Sequence, residues 1–160
     1  MEIKAIEKTE LPACLDVIHR SFATVAEEFA LTRENCPKHT SFLPIEYLET
    51  QFGWGWLMFG LYDSGNLIGY VSLSEEDGST FELHHLAVLP EVRHRGGGKL
   101  LLDCAKETVI HSGGTKITIG IIEESAVLRE WYAVNGFVHA GTKKFPHLPF
   151  TTGFMEWRVE

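Results

Sequence analysis

Apolar and polar positions follow two different periods along the chain, and these periods divide it into candidate helices and strands. Glu2–Ile6 has the composition of a short strand. The next apolar residues recur at spacings of three and four, the period of a helix with one buried face: Leu11, Cys14, Leu15, Ile18 and Phe22. We expect Thr9 to cap this helix and Pro12 to lie in its first turn.

The stretch from Ala23 to Trp56 has the least regular pattern of the chain. Prolines and glycines interrupt it at Pro37, Pro44, Gly53 and Gly55. Within it, Ile45–Phe52 keeps a helical spacing, which predicts a short helix. We expect this irregular stretch to contribute to substrate selection.

Three β-rich runs follow, and turn residues separate them. Trp56–Tyr62 and Leu67–Ser74 flank positions 63–66, where Asp, Ser, Gly and Asn form a strong hairpin signal. A third run, Thr80–Leu89, begins after the Asp-Gly pair at 77–78. The sequence therefore predicts an antiparallel meander.

The second half of the chain alternates between helical and strand patterns. A glycine-rich turn opens a predicted helix at Lys99–His111, and a β-branched strand follows at Lys116–Ile122. A second helix is expected at Ala126–Asn135, with closing strands near Phe137–Lys144 and Gly153–Val159. The whole order, β-α-α-β-β-β-α-β-α-β-β, predicts one α+β domain over residues 1–160.

Length and composition agree with a single folded domain. The chain has 160 residues, of which 44% are hydrophobic and 22% charged, and these values argue against disorder and coiled coil. No apolar stretch approaches the ~20 residues needed to cross a bilayer, and the N-terminus lacks the pattern of a signal peptide. We therefore expect a cytoplasmic protein.

The charge balance narrows the classes of partner. Asp and Glu number 22 against 14 Lys and Arg, for a net charge of −8. Such a balance repels DNA and anionic membranes and favours cationic small molecules or peptides. Cys14, Cys36 and Cys104 lack CxxC spacing, and no His or carboxylate pattern forms a zinc set, so we expect neither a disulfide nor a bound metal.

The segment from Arg93 to Lys99 carries the strongest chemical signal. Three consecutive glycines at 96–98 open the predicted helix, and backbone N–H groups at such a start bind a bulky anion. Arg93, Arg95 and Lys99 would surround it as mobile cations. The segment lacks the Gly-Lys-Ser/Thr ending of a P-loop and the spacing of a dinucleotide motif. A tight structural turn is the alternative to a phosphate site.

Two motifs stand at a defined spacing in the chain. Arg93-x-x-Gly96-x-Gly98 follows the strand end at Leu86–Val88, and Trp131-Tyr132-x-x-x-Gly136-Phe137 lies further along. In combination, these motifs resemble the GNAT family of N-acetyltransferases, and the likeness extends over the whole chain in length and element order. The resemblance implies a mixed, mostly antiparallel central sheet flanked by helices. It also implies acetyl-CoA as the acyl donor.

The resemblance assigns the donor site residue by residue. In that family, the strand end pairs with the pantetheine arm of acetyl-CoA, and the backbone amides of the glycine-rich turn bind its pyrophosphate. The donor residues implied by position are Leu86, Ala87, Val88, Arg93, His94, Arg95, Gly96, Gly97, Gly98, Lys99 and Ser125.

Three of these positions depart from the family pattern. Gly97 replaces the aliphatic residue usual between the two motif glycines, and we expect the loss of a packing anchor and of helix propensity there. Ser125 stands where the family often has an Asn on the pantetheine arm, but it can still cap the following helix. His94 occupies a position usually filled by Gly.

Tyr132 matches a tyrosine that the family often carries near the sulfur of CoA. A thiol with a pKa near 8.5 leaves more readily when a neighbouring O–H donates a proton to it. The resemblance therefore implies that Tyr132 is a general acid. The alternative is that Tyr132 and Trp131 form an aromatic pair that simply packs in the core.

The acceptor amine needs a base, because an ammonium of pKa near 10.4 is almost entirely protonated at pH 7. Glu82, His84 and His85 lie on the strand that leads into the donor site, and they are the candidates. Alternation places Glu82 and His84 on one face and His85 on the other, unless a bulge intervenes.

Together, these observations predict direct transfer of acetyl from acetyl-CoA to a primary amine of a small molecule or peptide. Cys14 and Cys36 have no evident base beside them, and Cys104 lies in the helix after the glycine-rich turn, away from the expected thioester end, so we expect no covalent intermediate. A non-catalytic acetyl-CoA or CoA sensor, or a protein-interaction module, is the alternative function. The apolar loop Phe145–Phe150 is similar to loops that border the acceptor pocket in the family, and a hydrophobic plug or a dimer contact is the alternative, so a homodimer stays open.

Overall fold

The computed structural model describes all 160 residues and contains one seven-stranded sheet. The strand order is β1-β2-β3-β4-β5-β7-β6, and every neighbouring pair is antiparallel except β4 with β5. The predicted α+β class and the predicted order of elements are both confirmed. The strands are β1 Glu2–Ala5, β2 Leu57–Asp63, β3 Asn66–Glu75, β4 Thr80–Val88, β5 Lys116–Ile122, β6 Val138–Lys144 and β7 Thr151–Arg158.

Four helices flank the sheet. The β4-to-β5 crossover places α3 on one face of β3 and β4, and α1 packs on the other face of the same strands with α2 beside it. No helix combines the length and apolar character needed to cross a membrane. The helices are α1 Leu11–Glu28, α2 Ile45–Gly53, α3 Gly97–His111 and α4 Ala126–Val134.

Helix α1 differs from its prediction at both ends. Thr9 does not cap it, because Thr9 lies in a short 3-10 turn, and no side-chain oxygen accepts from the first turn of α1. The helix also continues past Ala23 and ends only where Ala30 takes a left-handed backbone, with φ of 53°. There the Leu31 N–H donates to the Ala26 carbonyl at 2.8 Å. The irregular stretch is therefore shorter than the proline and glycine positions indicated.

A cluster of 27 buried residues fills the space between the helices and the sheet. Full burial of one aliphatic side chain contributes about 1.5–3 kcal/mol, so this cluster is the main source of stability. A smaller cluster of Ala26, Leu31, Cys36 and Ile122 lies at the C-terminal end of α1. Leu148 and Phe150 pack against it and anchor the loop between β6 and β7 there. Of the predicted alternatives for that loop, this packing favours the hydrophobic plug.

Candidate active site

The parallel strands β4 and β5 diverge in the middle of the sheet. They pair only at Thr80 with Lys116, Phe81 with Ile117, and Glu82 with Thr118. Beyond that point β4 remains paired with β3, and β5 remains paired with β7. A cleft therefore opens between the two strands, and we call it the fork.

A β-bulge shapes the β4 side of the fork. Ser72 of β3 pairs with His84 and Tyr70 pairs with Ala87, so His85 and Leu86 together oppose one residue of β3. His85 has a φ of 53°, an uncommon value for a residue other than glycine. The bulge removes the simple alternation, and the rings of His84 and His85 have centroids only 5.9 Å apart. The bulge is the exception that the alternation argument named, so the two rings do not lie on opposite faces.

The glycine-rich turn lies directly after β4 and leads into α3. Consecutive backbone N–H groups from His94 to Lys99 have no acceptor within the protein. Gly96 precedes α3 with a φ of 83°, and His94 has a φ of 64°. These left-handed residues turn successive N–H groups outward at the positive end of the α3 dipole. The turn therefore has the geometry of an anion cradle.

The basic side chains of this turn are less mobile than the sequence indicated. Arg93 donates to the carbonyls of Val88 and Ser21 at 3.3 and 2.8 Å, and to the Thr24 hydroxyl at 3.0 Å. Partial burial lowers the pKa of its guanidinium. The Arg93 side chain thus ties the turn to α1 and does not extend from the turn as a free cation. Lys99 pairs with Asp103, and Arg95 pairs with Asp63.

Two glycines allow close packing around the start of α3. A Cβ atom on Gly97 would lie 2.8 Å from Cδ2 of Leu61, so the glycine allows α3 to approach β2. The expected loss of a packing anchor at Gly97 is therefore wrong, because Leu61 fills that space. A Cβ atom on Gly98 would lie 3.3 Å from Cζ2 of Trp131 in α4. This contact brings the aromatic pair of α4 next to the cradle.

Helix α4 positions Tyr132. The Ser125 hydroxyl accepts from the Leu128 N–H at 3.3 Å, so the predicted cap is confirmed. Tyr132 is 6% exposed and packs edge-on against Trp131 and Phe137, with ring centroids 4.9 and 5.3 Å away. Its hydroxyl has no hydrogen-bond partner in the chain, and burial raises its pKa. Tyr132 thus keeps its proton near neutral pH and has it available to donate.

Glu82 and His84 share one face of β4, as alternation predicted. Nε2 of His84 lies 3.3 Å from Oε2 of Glu82 and 2.7 Å from the Ser74 hydroxyl. The imidazole stacks on Trp56 with ring centroids 4.1 Å apart. Burial lowers the pKa of His84 to about 3, so the contact with Glu82 is not an ion pair near neutral pH.

The Glu82 carboxyl has an unusual pKa for a carboxyl that is partly exposed to solvent. Burial raises this pKa to about 7, and the nearby Glu76 carboxylate adds to the shift. The Glu76 N–H donates to the Thr80 carbonyl at 2.8 Å, which places Glu76 diagonally across from Glu82. The Glu82 side chain is still 39% exposed. A half-buried carboxyl that exchanges its proton near pH 7 suits a general base.

His85 is the most buried of the three candidate bases. Burial lowers its pKa to about 4, and its Nε2 has no hydrogen-bond partner. No group of three or more His, Cys, Asp or Glu side chains is arranged to hold a metal ion. A surface groove of about 590 Å³ between α4 and β6 includes none of these residues.

Sequence reasoning did not assign a role to several residues around the candidate base. Ser74 and Glu76 flank Glu82 only because of the hairpin register, and Trp56 reaches the ring of His84 from the residue before β2. The Asp-Gly turn at 77–78 fixes that register, so counting back from it would have placed Ser74 opposite Glu82. No pattern in the sequence predicts the hydrogen bonds from Arg93 to Ser21 and Thr24 of α1.

The sequence model of the acetyltransferase (GNAT) family matches residues 24–137, which is more than half of the chain. The chain belongs to the GNAT family. It is accordingly an acyl-CoA-dependent N-acetyltransferase, as predicted. No curated protein matches its sequence significantly.

Solved structures of N-acetyltransferases share the fold of this GNAT protein at low sequence identity. One is the ribosomal-protein-S18-alanine N-acetyltransferase of Escherichia coli, with a TM-score of 0.80, 17% identity, and coverage of 99% of this chain and 93% of that one. PaiA N-acetyltransferase of Thermoplasma acidophilum, in complex with coenzyme A, has a TM-score of 0.74, 22% identity and coverage of 99% and 100%. Aminoglycoside 6'-acetyltransferase type Ii has a TM-score of 0.75, 19% identity and coverage of 99% and 97%.

Proposed function

We propose that this protein transfers the acetyl group of acetyl-CoA to a primary amine by direct attack within a ternary complex. The observation that carries the proposal is the fork, which has unpaired N–H groups at one end and a carboxyl with a pKa near 7 at the other. The relatives named for alanine and aminoglycoside acetylation act on amines, which supports an amine acceptor here. The three free cysteines fit a reducing compartment, so a cytoplasmic location is part of the proposal.

The donor occupies the fork along β4 in this proposal. The N–H groups of 94–99 bind the pyrophosphate, and the helix dipole of α3 adds to the attraction. Leu86, Ala87 and Val88 face the divergent part of the fork and hold the pantetheine arm, with Ser125 at the start of α4 beside it. The side chain of Arg93 contributes by fixing the turn to α1.

The reaction forms one bond and breaks one. The free amine nitrogen attacks the thioester carbonyl carbon, a C–N bond forms, and the C–S bond breaks. Glu82 accepts a proton from the attacking nitrogen through water, and Tyr132 donates its proton to the departing sulfur. His84 stays neutral and, with Ser74, holds Glu82 in place, while His85 shapes the bulge. Glu82 is therefore the proposed base among the three candidates.

An assay of a panel of primary amines tests the proposal. Each amine is incubated with acetyl-CoA, and released CoA and acetylated amine are measured together. Stoichiometric formation of both products with at least one amine is the expected result. Tight binding of acetyl-CoA without CoA release from any amine would contradict it and would favour the non-catalytic sensor.

The charge of the acceptor is a further part of the proposal. Glu76 and Glu82 stand at the acceptor end of the fork, and the protein carries a net charge of −8. A cationic amine gains attraction from both. Within the panel, we expect diamines and sugars with several amino groups to have lower KM values than monoamines, which carry a single positive charge, and this preference to weaken as salt concentration rises.

A further inference from the structure

The sheet contains five glycines within its strands, and four of them have a structural reason to be glycine. At Gly60, Gly69 and Gly153 an added Cβ atom would lie 2.9 Å or less from another side chain. Gly141 has a φ of 136° at a bulge in β6. Gly120 in β5 has neither reason, since its φ is negative and the nearest atom to an added Cβ is Cγ2 of Thr152 at 3.8 Å.

A glycine without such a reason weakens a strand, because glycine loses more backbone entropy on folding than other residues do and packs no side chain against its neighbours. Gly120 is also exposed although it lies on an interior strand with β7 as its neighbour. The absence of a side chain therefore leaves open space above the middle of the sheet. Glycine in this setting is typical of a place where a ligand approaches the backbone closely.

Gly120 lies at the fork, on the side that faces the candidate base. The last pair of β4 and β5 is Glu82 with Thr118, so Gly120 comes two residues beyond it, across from the bulge that begins at His84. The Glu123 N–H donates to the Thr151 carbonyl, so odd-numbered residues of β5 direct their backbone groups to β7. Gly120 consequently directs its N–H and C=O toward the fork.

We propose that Gly120 is a specificity-determining residue that leaves room for a substituent on the carbon bearing the acceptor amine. The inference rests on the proposed amine acetylation. It assigns the acceptor to primary amines on a branched carbon, as in amino acids and amino sugars. One branch occupies the space above Gly120, and the nitrogen stays aligned between Glu82 and the thioester. An unbranched amine leaves that space to water.

The test adds volume at this position in two steps. Gly120→Ala places its Cβ atom at an ordinary contact distance from Thr152, so the fold accommodates it. Gly120→Val adds a residue with high strand propensity. Thr142→Val, on the exposed strand β6, is the matched control for a change in strand propensity away from the fork. Substrates are matched pairs, in which each unbranched primary amine is compared with its α-methyl homologue.

The expected result is a selective loss. Gly120→Val lowers kcat/KM for the branched amine more than tenfold and for the unbranched amine less than threefold, with Gly120→Ala between parent and Val. In both Gly120 variants, the affinity for acetyl-CoA, measured by calorimetry, and the melting temperature stay at or above the parental values. The control Thr142→Val leaves the ratio of kcat/KM between the branched and the unbranched amine unchanged. Equal losses for both amines, no loss for either, or weaker acetyl-CoA binding would overturn the role of Gly120. Failure of the proposed function would give a different result from failure of the Gly120 role, because the parent protein itself would then acetylate no amine.

Discussion

The two ends of the fork are built from different parts of the chain. At the donor end, the groups that face outward are backbone N–H groups of one continuous segment, 94–99. At the acceptor end, the groups are side chains brought together from three segments, with Trp56 before β2, Ser74 and Glu76 around the end of β3, and Glu82 and His84 on β4. Binding at the donor end should therefore tolerate changes of side chain but not changes of backbone conformation. Activity at the acceptor end should instead be sensitive to changes of side chain.

The largest effect is expected at Tyr132, the proposed proton donor to the departing sulfur. Tyr132→Phe removes the proton donor and keeps the aromatic packing against Trp131 and Phe137. We expect kcat to fall about a hundredfold, the lower range for general acid catalysis, while acetyl-CoA affinity changes little. Steady-state kinetics and calorimetry measure both. A parental kcat with intact folding would show that Tyr132 only packs in the core.

The second effect tests the backbone character of the donor end. Gly96 has a φ of 83°, and Gly96→Val forces a β-branched residue into a left-handed conformation, which should disorder the N–H cradle. We expect acetyl-CoA affinity to fall more than tenfold, equivalent to about 1.4 kcal/mol. Gly113→Val is the matched control, because Gly113 has a φ of 80° and open space around it at the far end of α3. Equal affinity loss in both variants would remove the phosphate role of the turn.

The third effect concerns ionisation at the acceptor end. Since burial and Glu76 raise the pKa of Glu82 to about 7, kcat/KM should rise with pH through that value as the base ionises. Glu76→Gln removes a neighbouring negative charge, so it should move this limb to lower pH and raise the rate near pH 6. Glu82→Gln should lower kcat and abolish the limb. A pH–rate profile of Glu82→Gln that matches the parent would transfer the base to His84 or His85.

The same ionisation changes stability with a defined sign. The carboxyl of Glu82 has a pKa near 7 in the folded protein against 4.5 as its ordinary value, so the folded state holds the proton more tightly. Its contribution to the free energy of unfolding is present below about pH 4.5 and is lost as pH rises through about 7. We therefore expect denaturant titrations to show the parent losing stability between pH 5 and pH 8 relative to Glu82→Gln. An identical pH dependence in the two proteins would contradict the raised pKa.

The smallest effect is expected at Ser125, at the start of α4. Ser125→Ala removes the cap on the Leu128 N–H and should lower the free energy of unfolding by about 1 kcal/mol. Ser125→Asn should retain the cap. If the hydroxyl also contacts the pantetheine arm, acetyl-CoA affinity falls with Ala as well as stability. An unchanged free energy of unfolding would contradict the capping role.

The local features were within reach of the sequence because they depend on neighbouring residues. The β5 strand was predicted with its observed ends, since its β-branched residues lie between a glycine pair and the Ser125 cap. The hairpin turn at 63–66 and the glycine-rich turn before α3 were recognised for the same reason, as backbone conformation there depends on which residues permit it. The motifs in that turn and in α4 were also sufficient to indicate the GNAT family.

Contacts between distant segments were decided by packing in three dimensions. The brace from Arg93 to Ser21 and Thr24 spans about seventy residues of chain, and no periodicity relates these positions. The bulge at His85 depends on how β4 pairs with β3, and the raised pKa of Glu82 depends on burial and on Glu76 across the hairpin. Gly120 shows the same limit, because one glycine in an apolar run gives no sign of the open space that the divergence of two strands creates beside it.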